Sequence, residues 1–512
     1  MASRRPIATA LVIMAVLAAP GTVPAQEPLS AIDWLSKSVQ QPPGLPGPGV
    51  PAGQVRAPGP ISVAPIGGAG LDGLGLLPVS KTGLPRDLWG LTPTDDLVRL
   101  ISAERVDTLP VMQRLLTTIL LAELSPPMDS DGSGRLFLAR VDKLLDMGQL
   151  DPVLALLEMP PTLQAEPFRR RFDVALLLGE EDAACELMRA NPQIAPTFPA
   201  RVFCLARGGD WNAAALSLRT GETLGFIEPD MAALLSRFLD PDLYEGEPDL
   251  PAPVRPSPLV FRLREAIGQP MSTATLPLAF AQSDLRVNSG WKARLEAAER
   301  LARTGAIAPN QLLGLYTERQ PAASGGIWDR VRAIQDFDSA LAAGDITAVR
   351  RTLPVAWSAM QSVELEVPFA ELYGEPLSRL NLDGAAGAIA LRVGLLAPEY
   401  ETVAQRRKVV EGGEAFLIGL ARGKVAGLPA PGELGAAIQA AFAAEGAPED
   451  AAALMKGRRM GEALLGAIDD VTQGAQGSLP AVTRGLQTLR AAGLEDAARR
   501  AALELLLLER RG

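Results

Sequence analysis

The chain has 512 residues, of which 47% are hydrophobic and 21% charged, and its 59 acidic residues outnumber its 49 basic residues. It contains no histidine, which excludes Ser-His-Asp and Cys-His catalysis, histidine-ligated zinc and a histidine pH switch. The formal net charge of -10 disfavours nucleic acid as a partner, because an acidic surface repels phosphate backbones. Aromatic residues make up only 4% of the chain, which disfavours a strand-rich fold.

Residues 1–25 have the pattern of a secretory signal peptide. Arg4 and Arg5 form a basic start, residues 7–19 are mostly apolar, and small residues lead up to a cleavage position after Ala25. The apolar stretch is shorter than the roughly 20 residues that span a bilayer, so we predict cleavage; an uncleaved membrane anchor is the alternative. No later stretch is long and apolar enough for a membrane span. Few lysines and abundant Ala, Gly and Pro are typical of proteins from GC-rich genomes. Together with the signal-peptide pattern, this residue usage indicates a periplasmic protein.

Residues 26–40 predict a short amphipathic helix. Ser30 and Asp33 have the spacing of a capping box, which satisfies free amides of the first helical turn. A helix of about ten residues is marginal in water by itself, so we expect it to dock. It either folds back onto its own chain or enters the groove of a partner protein, and a disordered remnant is the third possibility. The residues that would make that contact are Leu29, Ile32, Trp34, Leu35 and Val39.

Residues 41–77 predict a disordered linker rich in proline and glycine. Positions 41–60 alone contain seven prolines and five glycines and almost no charge, so they cannot form a core. A flexible tether of this length would hold the preceding helix within about 30–35 Å of the folded body.

The remainder of the chain predicts an all-α fold in two halves, 78–245 and 258–512. Apolar residues recur at three- and four-residue spacing in run after run, and alternating strand-like runs are nearly absent. Residues 246–257, within an acidic stretch that carries five prolines, predict a connector because no helix can run through them. The alternative is a long loop that packs on one continuous array of helices.

Five breaks between helices share one arrangement, in which a glycine ends one helix and an acidic or polar residue precedes an Ala-rich helix. Glycine supplies the left-handed conformation, and the acid favours the positive N-terminus of the next helix. This pattern resembles the helical hairpins of tetratricopeptide-like repeat proteins, and the resemblance covers about 140–250 and the end of the chain. It implies an irregular solenoid that serves recognition rather than chemistry. The breaks lie at 145–151, 178–184, 206–214, 341–348 and 489–498.

The two cysteines predict a disulfide. Cys185 and Cys204 each lie about ten residues from the midpoint of a connection that contains two prolines, so an antiparallel hairpin would bring them level. An oxidising compartment favours the bond between them. The alternative is a pair of separate buried thiols.

Residues 129–136 partly imitate a calcium-binding loop. Asp129, Asp131 and Gly134 stand at the first, third and sixth positions, but Arg140 occupies the twelfth, where a bidentate glutamate is needed. We therefore predict a polar loop between helices at this point.

Taken together, the residues predict a non-enzymatic helical-repeat scaffold or adaptor that binds protein partners in an envelope assembly. The flagellar motor and the cell-wall machinery are the assemblies we consider. We predict no catalytic residue, no cofactor and no metal ligand, and we leave the oligomeric state open. The alternative is a divergent carboxylate-dependent peptidoglycan hydrolase, or a regulator of one, because paired carboxylates can cleave glycosides without histidine.

Overall fold

The computed structural model describes residues 70–407 and 413–508. Within those residues the fold consists of α-helices and four short 3-10 helices without any strand, and strand-like pairing is limited to one isolated bridge between Leu77 and Ala122. The predicted all-α class is confirmed. None of these helices has the combination of length and apolar sequence that is needed to cross a bilayer.

The helices are numbered here in chain order. The first group comprises α1 (Val79–Thr82), α2 (Thr94–Ala103), α3 (Pro110–Leu121), α4 (Arg135–Asp146) and α5 (Leu150–Glu158). The second comprises α6 (Ala165–Leu178), α7 (Glu181–Ala190), α8 (Phe198–Arg207), α9 (Trp211–Thr223), α10 (Pro229–Leu239) and α11 (Pro258–Ala266). The 3-10 helices are Leu71–Gly73, Pro192–Ile194, Pro241–Tyr244 and Leu278–Phe280.

The remaining helices form the second half of the chain. They are α12 (Ala281–Asp284), α13 (Trp291–Arg303), α14 (Pro309–Thr317), α15 (Ile327–Ala342), α16 (Ile346–Gln361), α17 (Glu366–Ser378) and α18 (Gly384–Leu396). They continue as α19 (Tyr400–Arg406), α20 (Gly413–Ala421), α21 (Gly432–Ala443), α22 (Glu449–Lys456), α23 (Met460–Ala475), α24 (Leu479–Ala491) and α25 (Glu495–Leu507).

The predicted glycine turns between helices are present. The glycine at each of the five breaks has a positive φ, the left-handed conformation that ends a helix without a Cβ penalty. The carboxylate of Asp345 then accepts a hydrogen bond of 3.0 Å from the Ala348 amide, and Asp210 accepts one of 3.1 Å from the Ala213 amide. These are N-caps, so the short polar stretch ends one helix and starts the next.

The hydrophobic residues divide into two cores. The main core draws on helices from both predicted halves of the chain, whereas a second core is built from residues of α6 to α11 together with their connections. We call α6 to α11 the disulfide lobe, because both cysteines lie in it. Helix α6 contributes to both cores and therefore joins the lobe to the rest of the molecule.

Residues 246–257, predicted to be a connector with a packed loop as the alternative, lie between α10 and α11 of the lobe. Leu250 packs against the second core, and its amide donates to the side-chain oxygen of Gln269 at 3.2 Å. Arg264 donates to the carbonyl oxygens of Leu250 and Pro251. The segment is therefore a loop packed within the lobe, since its carbonyls are held by a side chain that the proline pattern does not reveal.

Helices from the two predicted halves also close against each other. The Val111 amide of α3 donates to the Glu504 carboxylate of α25 at 3.0 Å, and the hydroxyls of Thr108 and Thr472 lie 2.6 Å apart. A Cβ at Gly461 would lie 2.6 Å from the ring of Trp89, so only glycine permits this approach. A simple stack of hairpins contacts only its neighbours, whereas here α2 and α3 also pack on α23 and α25.

The predicted linker ends earlier than residue 77. Residues 70–77 belong to the folded body: the buried carboxylate of Asp72 accepts hydrogen bonds from the Ser130 hydroxyl at 2.6 Å and from the Phe137 amide at 2.9 Å. The Leu76 and Leu77 amides both donate to one carbonyl of α3. The glycine-rich composition conceals this order because the partners come from α3 and α4. The predicted signal peptide, amphipathic helix and first part of the linker lie outside the described residues.

Candidate functional site

The predicted disulfide between Cys185 and Cys204 is present and joins α7 to α8. Both residues are buried, and their Cα atoms lie 5.1 Å apart. The alternative of two separate thiols is excluded by this bond. The disulfide closes the hairpin that contains the 3-10 turn Pro192–Ile194, and it holds α8 against α7.

The five apolar residues predicted to contact a partner, Leu29, Ile32, Trp34, Leu35 and Val39, lie outside the described residues. Their contact with this chain or with a partner protein stays a prediction. The structure gives the point from which they are tethered, because residues 70–77 are fixed to α3 and α4.

The predicted calcium-like loop serves the fold through its carboxylates. Asp129 accepts hydrogen bonds from the amide and the hydroxyl of Thr94, at 3.0 and 2.7 Å, which caps α2. Asp131 accepts one of 2.8 Å from the Ser133 amide within the loop. These hydrogen bonds lower the pKa of Asp129, and the largest cause is the one donated by the backbone amide of Thr94.

Ion pairs of the buried Glu181 join three helices of the disulfide lobe. Glu181 is buried at the start of α7, and its carboxylate lies 2.8 Å from the guanidinium of Arg262 on α11 and 3.6 Å from that of Arg207 on α8. Sequence reasoning treats such acids at helix starts as capping groups. Here Glu181 ties three helices of the lobe together, because its partners come from α8 and α11.

An aromatic row connects the disulfide to the surface of the lobe. Phe203, the neighbour of Cys204, stacks on Phe238 with ring centroids 5.6 Å apart, and Phe238 in turn lies 6.2 Å from the ring of Trp211. Trp211 is 50% exposed, at the first position of α9. The row therefore ends in a large apolar side chain that faces solvent.

A second exposed apolar side chain lies at the same end of the α9–α10 hairpin. The 3-10 turn Pro241–Tyr244 packs against α10, and it carries Leu243, which is 69% exposed. Arg237 of α10 lies 5.5 Å from the ring centroid of Tyr244 and so holds this turn in place. We call Trp211, Phe238 and Leu243 the Trp211 patch.

The Trp211 patch is bordered by acidic residues. Residues 240–249 contain five acidic side chains, all exposed, and no basic residue. Glu247 accepts a hydrogen bond of 3.1 Å from Arg237, which also donates to the Pro248 carbonyl at 3.0 Å. An apolar centre with a polar, charged rim is the usual composition of a protein–protein interface. We call residues 240–249 the acidic rim.

A cleft of about 440 Å³ lies where α13, the start of α3 and the end of α23 meet. Arg300 in its wall donates to the carbonyls of Thr273 and Leu276, at 2.7 and 3.0 Å. Burial and the neighbouring charge of Arg303 lower the pKa of Arg300. The other residues that line the cleft include the carboxylates Asp107 and Glu364, so charged groups of both signs lie in its wall.

A buried glutamate, Glu104, lies near Asp469 of α23 and Lys143 of α4. Glu104 follows α2, and burial, with the nearby carboxylate of Asp469 as the second cause, raises its pKa from 4.5 to about 8. Lys143 opposes the shift; its ammonium group donates to the Glu104 carbonyl at 2.9 Å and lies 3.3 Å from the Asp146 carboxylate. Near neutral pH the folded chain therefore holds a proton on Glu104 that the unfolded chain releases.

Because the folded chain binds this proton more tightly than the unfolded chain does, the unfolding free energy should depend on pH. The contribution of Glu104 is complete below pH 4.5, where both states are protonated, and it is lost as the pH rises through about 8. We expect Glu104→Gln, which keeps the neutral shape, to flatten the decline in unfolding free energy between pH 5 and 8. Urea unfolding across that range measures it, with Glu123→Gln as the control at an exposed glutamate. Equal slopes in the Glu104 variant and the unaltered protein would contradict the assignment.

No family model, curated protein or solved structure matches this chain. The fold and the site define an all-helical protein with a buried disulfide and an exposed apolar patch beside an acidic rim. The sequence analysis did not predict the patch: Trp211 stands in one of the five glycine breaks, and the acidic stretch was predicted to be a connector or a packed loop. The available indication was Leu243, a large apolar residue that stands among the acids of residues 240–249.

Proposed function

We propose that this chain is a non-catalytic adaptor of the bacterial periplasm that binds a partner protein through the Trp211 patch. The observation that carries the proposal is the exposure of Trp211 and Leu243 at one end of the α9–α10 hairpin. Tryptophan is among the residues that contribute most to binding energy when a partner covers it. The signal-peptide pattern and the disulfide support an oxidising compartment outside the cytoplasm.

The architecture supports binding through a fixed surface. Phe238 lies between Trp211 on the outside and Phe203 on the inside, and the disulfide at Cys204 restrains the helix that carries Phe203. A surface that is already ordered loses less conformational entropy on association. An envelope assembly such as the flagellar motor or the cell-wall machinery is the setting we propose for the partner.

We expect Trp211→Ser combined with Leu243→Ser to weaken partner binding by at least about tenfold, since removing one buried anchor typically costs over 1 kcal/mol. The matched control is Ile346→Ser with Val355→Ser, two exposed apolar residues on α16, far from the lobe in the chain. The mature protein, both variants and an envelope extract are compared by affinity capture with quantitative mass spectrometry. The thermal transitions of all three proteins are measured alongside.

Two outcomes would contradict the proposal. The first is a set of captured proteins that both double variants retain equally. The second is capture of no envelope protein by a preparation that turns over peptidoglycan, which would favour the carboxylate-dependent hydrolase instead.

A further inference from the structure

Residues 222–249 of the disulfide lobe form a strongly acidic segment of this protein. Residues 222–249 contain eight acidic residues, all exposed, and a single arginine. The net charge of this segment is -7, against -10 for the whole chain. Five of the eight acids form the acidic rim, and the other three lie at the opposite end of the α9–α10 hairpin.

The acids of the rim are spread along the surface rather than gathered around an ion. In the part of the chain that the structure describes, no three acidic or cysteine side chains are grouped so that they could hold a metal. Arg237 is the one basic residue of the segment, and it is engaged with Glu247 and the Pro248 carbonyl. The rim therefore presents a field that is negative on balance, at the same end of the α9–α10 hairpin as Trp211 and Leu243.

We propose that the Trp211 patch and the acidic rim together bind a basic segment of the partner protein, one that carries arginine or lysine around an apolar side chain. This inference rests on the proposed function and names the chemistry of the partner. The apolar side chain covers Trp211 and Leu243, while the cations meet the rim. Anionic lipid and nucleic acid are repelled by the same charge.

The arrangement has a kinetic consequence. A negative rim attracts a basic segment over roughly a Debye length, about 10 Å at 0.1 M salt, and so raises the association rate at low ionic strength. Dissociation depends instead on the covered apolar side chains. Salt and rim charge should therefore act on association, and loss of Trp211 should act on dissociation.

The test uses the full chain in intact cells, with the photoreactive residue p-benzoylphenylalanine in place of Leu243. Leu243 is a suitable position because it is exposed on the 3-10 turn beside the rim. Mass spectrometry of the cross-linked product identifies the contacted segment of the partner. We expect that segment to carry a net positive charge.

A matched pair of charge variants then isolates the rim. The rim variant combines Asp240→Asn, Asp242→Asn and Glu245→Gln, which leaves the Arg237 ion pair intact. The control combines Glu222→Gln, Glu228→Gln and Asp230→Asn, which changes the net charge equally at the opposite end of the hairpin. We expect the rim variant to lower the cross-link yield by about tenfold and the control to lower it much less.

The outcomes separate the two proposals. Cross-links to a neutral or acidic segment, or an equal loss in both charge variants, would overturn the basic partner and leave the adaptor function standing. If no cross-link forms from position 243, the proposed function fails at this surface, and the basic partner fails with it.

Discussion

Replacing Arg140 with leucine should lower the unfolding free energy by about 4 kcal/mol, because several buried carbonyl groups would lose their donor at once. Arg140 is fully buried in α4. Its Nε donates to the Leu120 carbonyl at 2.8 Å, its Nη1 to those of Leu74 and Asp72 at 2.8 and 3.3 Å, and its Nη2 to that of Ala122 at 2.9 Å. Burial lowers the pKa of Arg140 to about 10, so the cation persists at neutral pH.

Two measurements check this expectation. Urea unfolding gives the free energy, and limited proteolysis shows whether residues 70–77 become accessible. The matched control is Arg135→Leu, which removes an exposed arginine and its ion pair with Asp95 from the same helix and should cost less than about 1 kcal/mol. Similar losses in the two variants, or intact protection of residues 70–77, would show that Arg140 does not anchor this segment.

Removing the disulfide should destabilise the lobe by about 3 kcal/mol, the value expected when a covalent loop of this size is opened. Cys185 and Cys204 are 19 residues apart. We expect the double variant Cys185→Ser, Cys204→Ser to exchange its amide hydrogens faster in α7 and α8. Because Phe203 is the neighbour of Cys204 and stacks on Phe238, the variant should also weaken partner binding.

Hydrogen exchange measured by mass spectrometry separates the lobe from the main core. The expected result is loss of protection in α7 and α8 with little change in α23 to α25, since these belong to a different core. Uniform loss across both regions would show that the lobe is not a separate unit. Unchanged protection in α7 would show that packing alone holds the hairpin.

The parts of this fold that the sequence predicted are those decided by local patterns. A glycine followed by an acid, as at Gly344 and Asp345, contains both the end of one helix and the cap of the next. Cys185 and Cys204 could be paired because one short connection with two prolines sets the register of their helices. In each case the residues that matter are close together in the chain.

The parts that it did not predict depend on partners that are far apart in the chain. Residues 70–77 are ordered by Arg140, and the amide of Val111 meets Glu504, 393 residues away. A glycine-rich composition predicts a linker whether or not distant residues hydrogen-bond to the segment and order it. For the same reason, the sequence could show that Trp211 is apolar but could not show that it stays exposed.

The most direct test of the central claim, that the lobe binds a partner protein, is cross-linking mass spectrometry in intact cells. Residues 165–267 contain no lysine, so reagents that couple carboxylates to amines are needed to report on the acidic rim. The experiment compares the full chain with one that lacks residues 27–40, the predicted amphipathic helix. We predict cross-links between residues 240–249 and another protein in both chains. Cross-links that disappear with residues 27–40, or that never involve the lobe, would contradict this account.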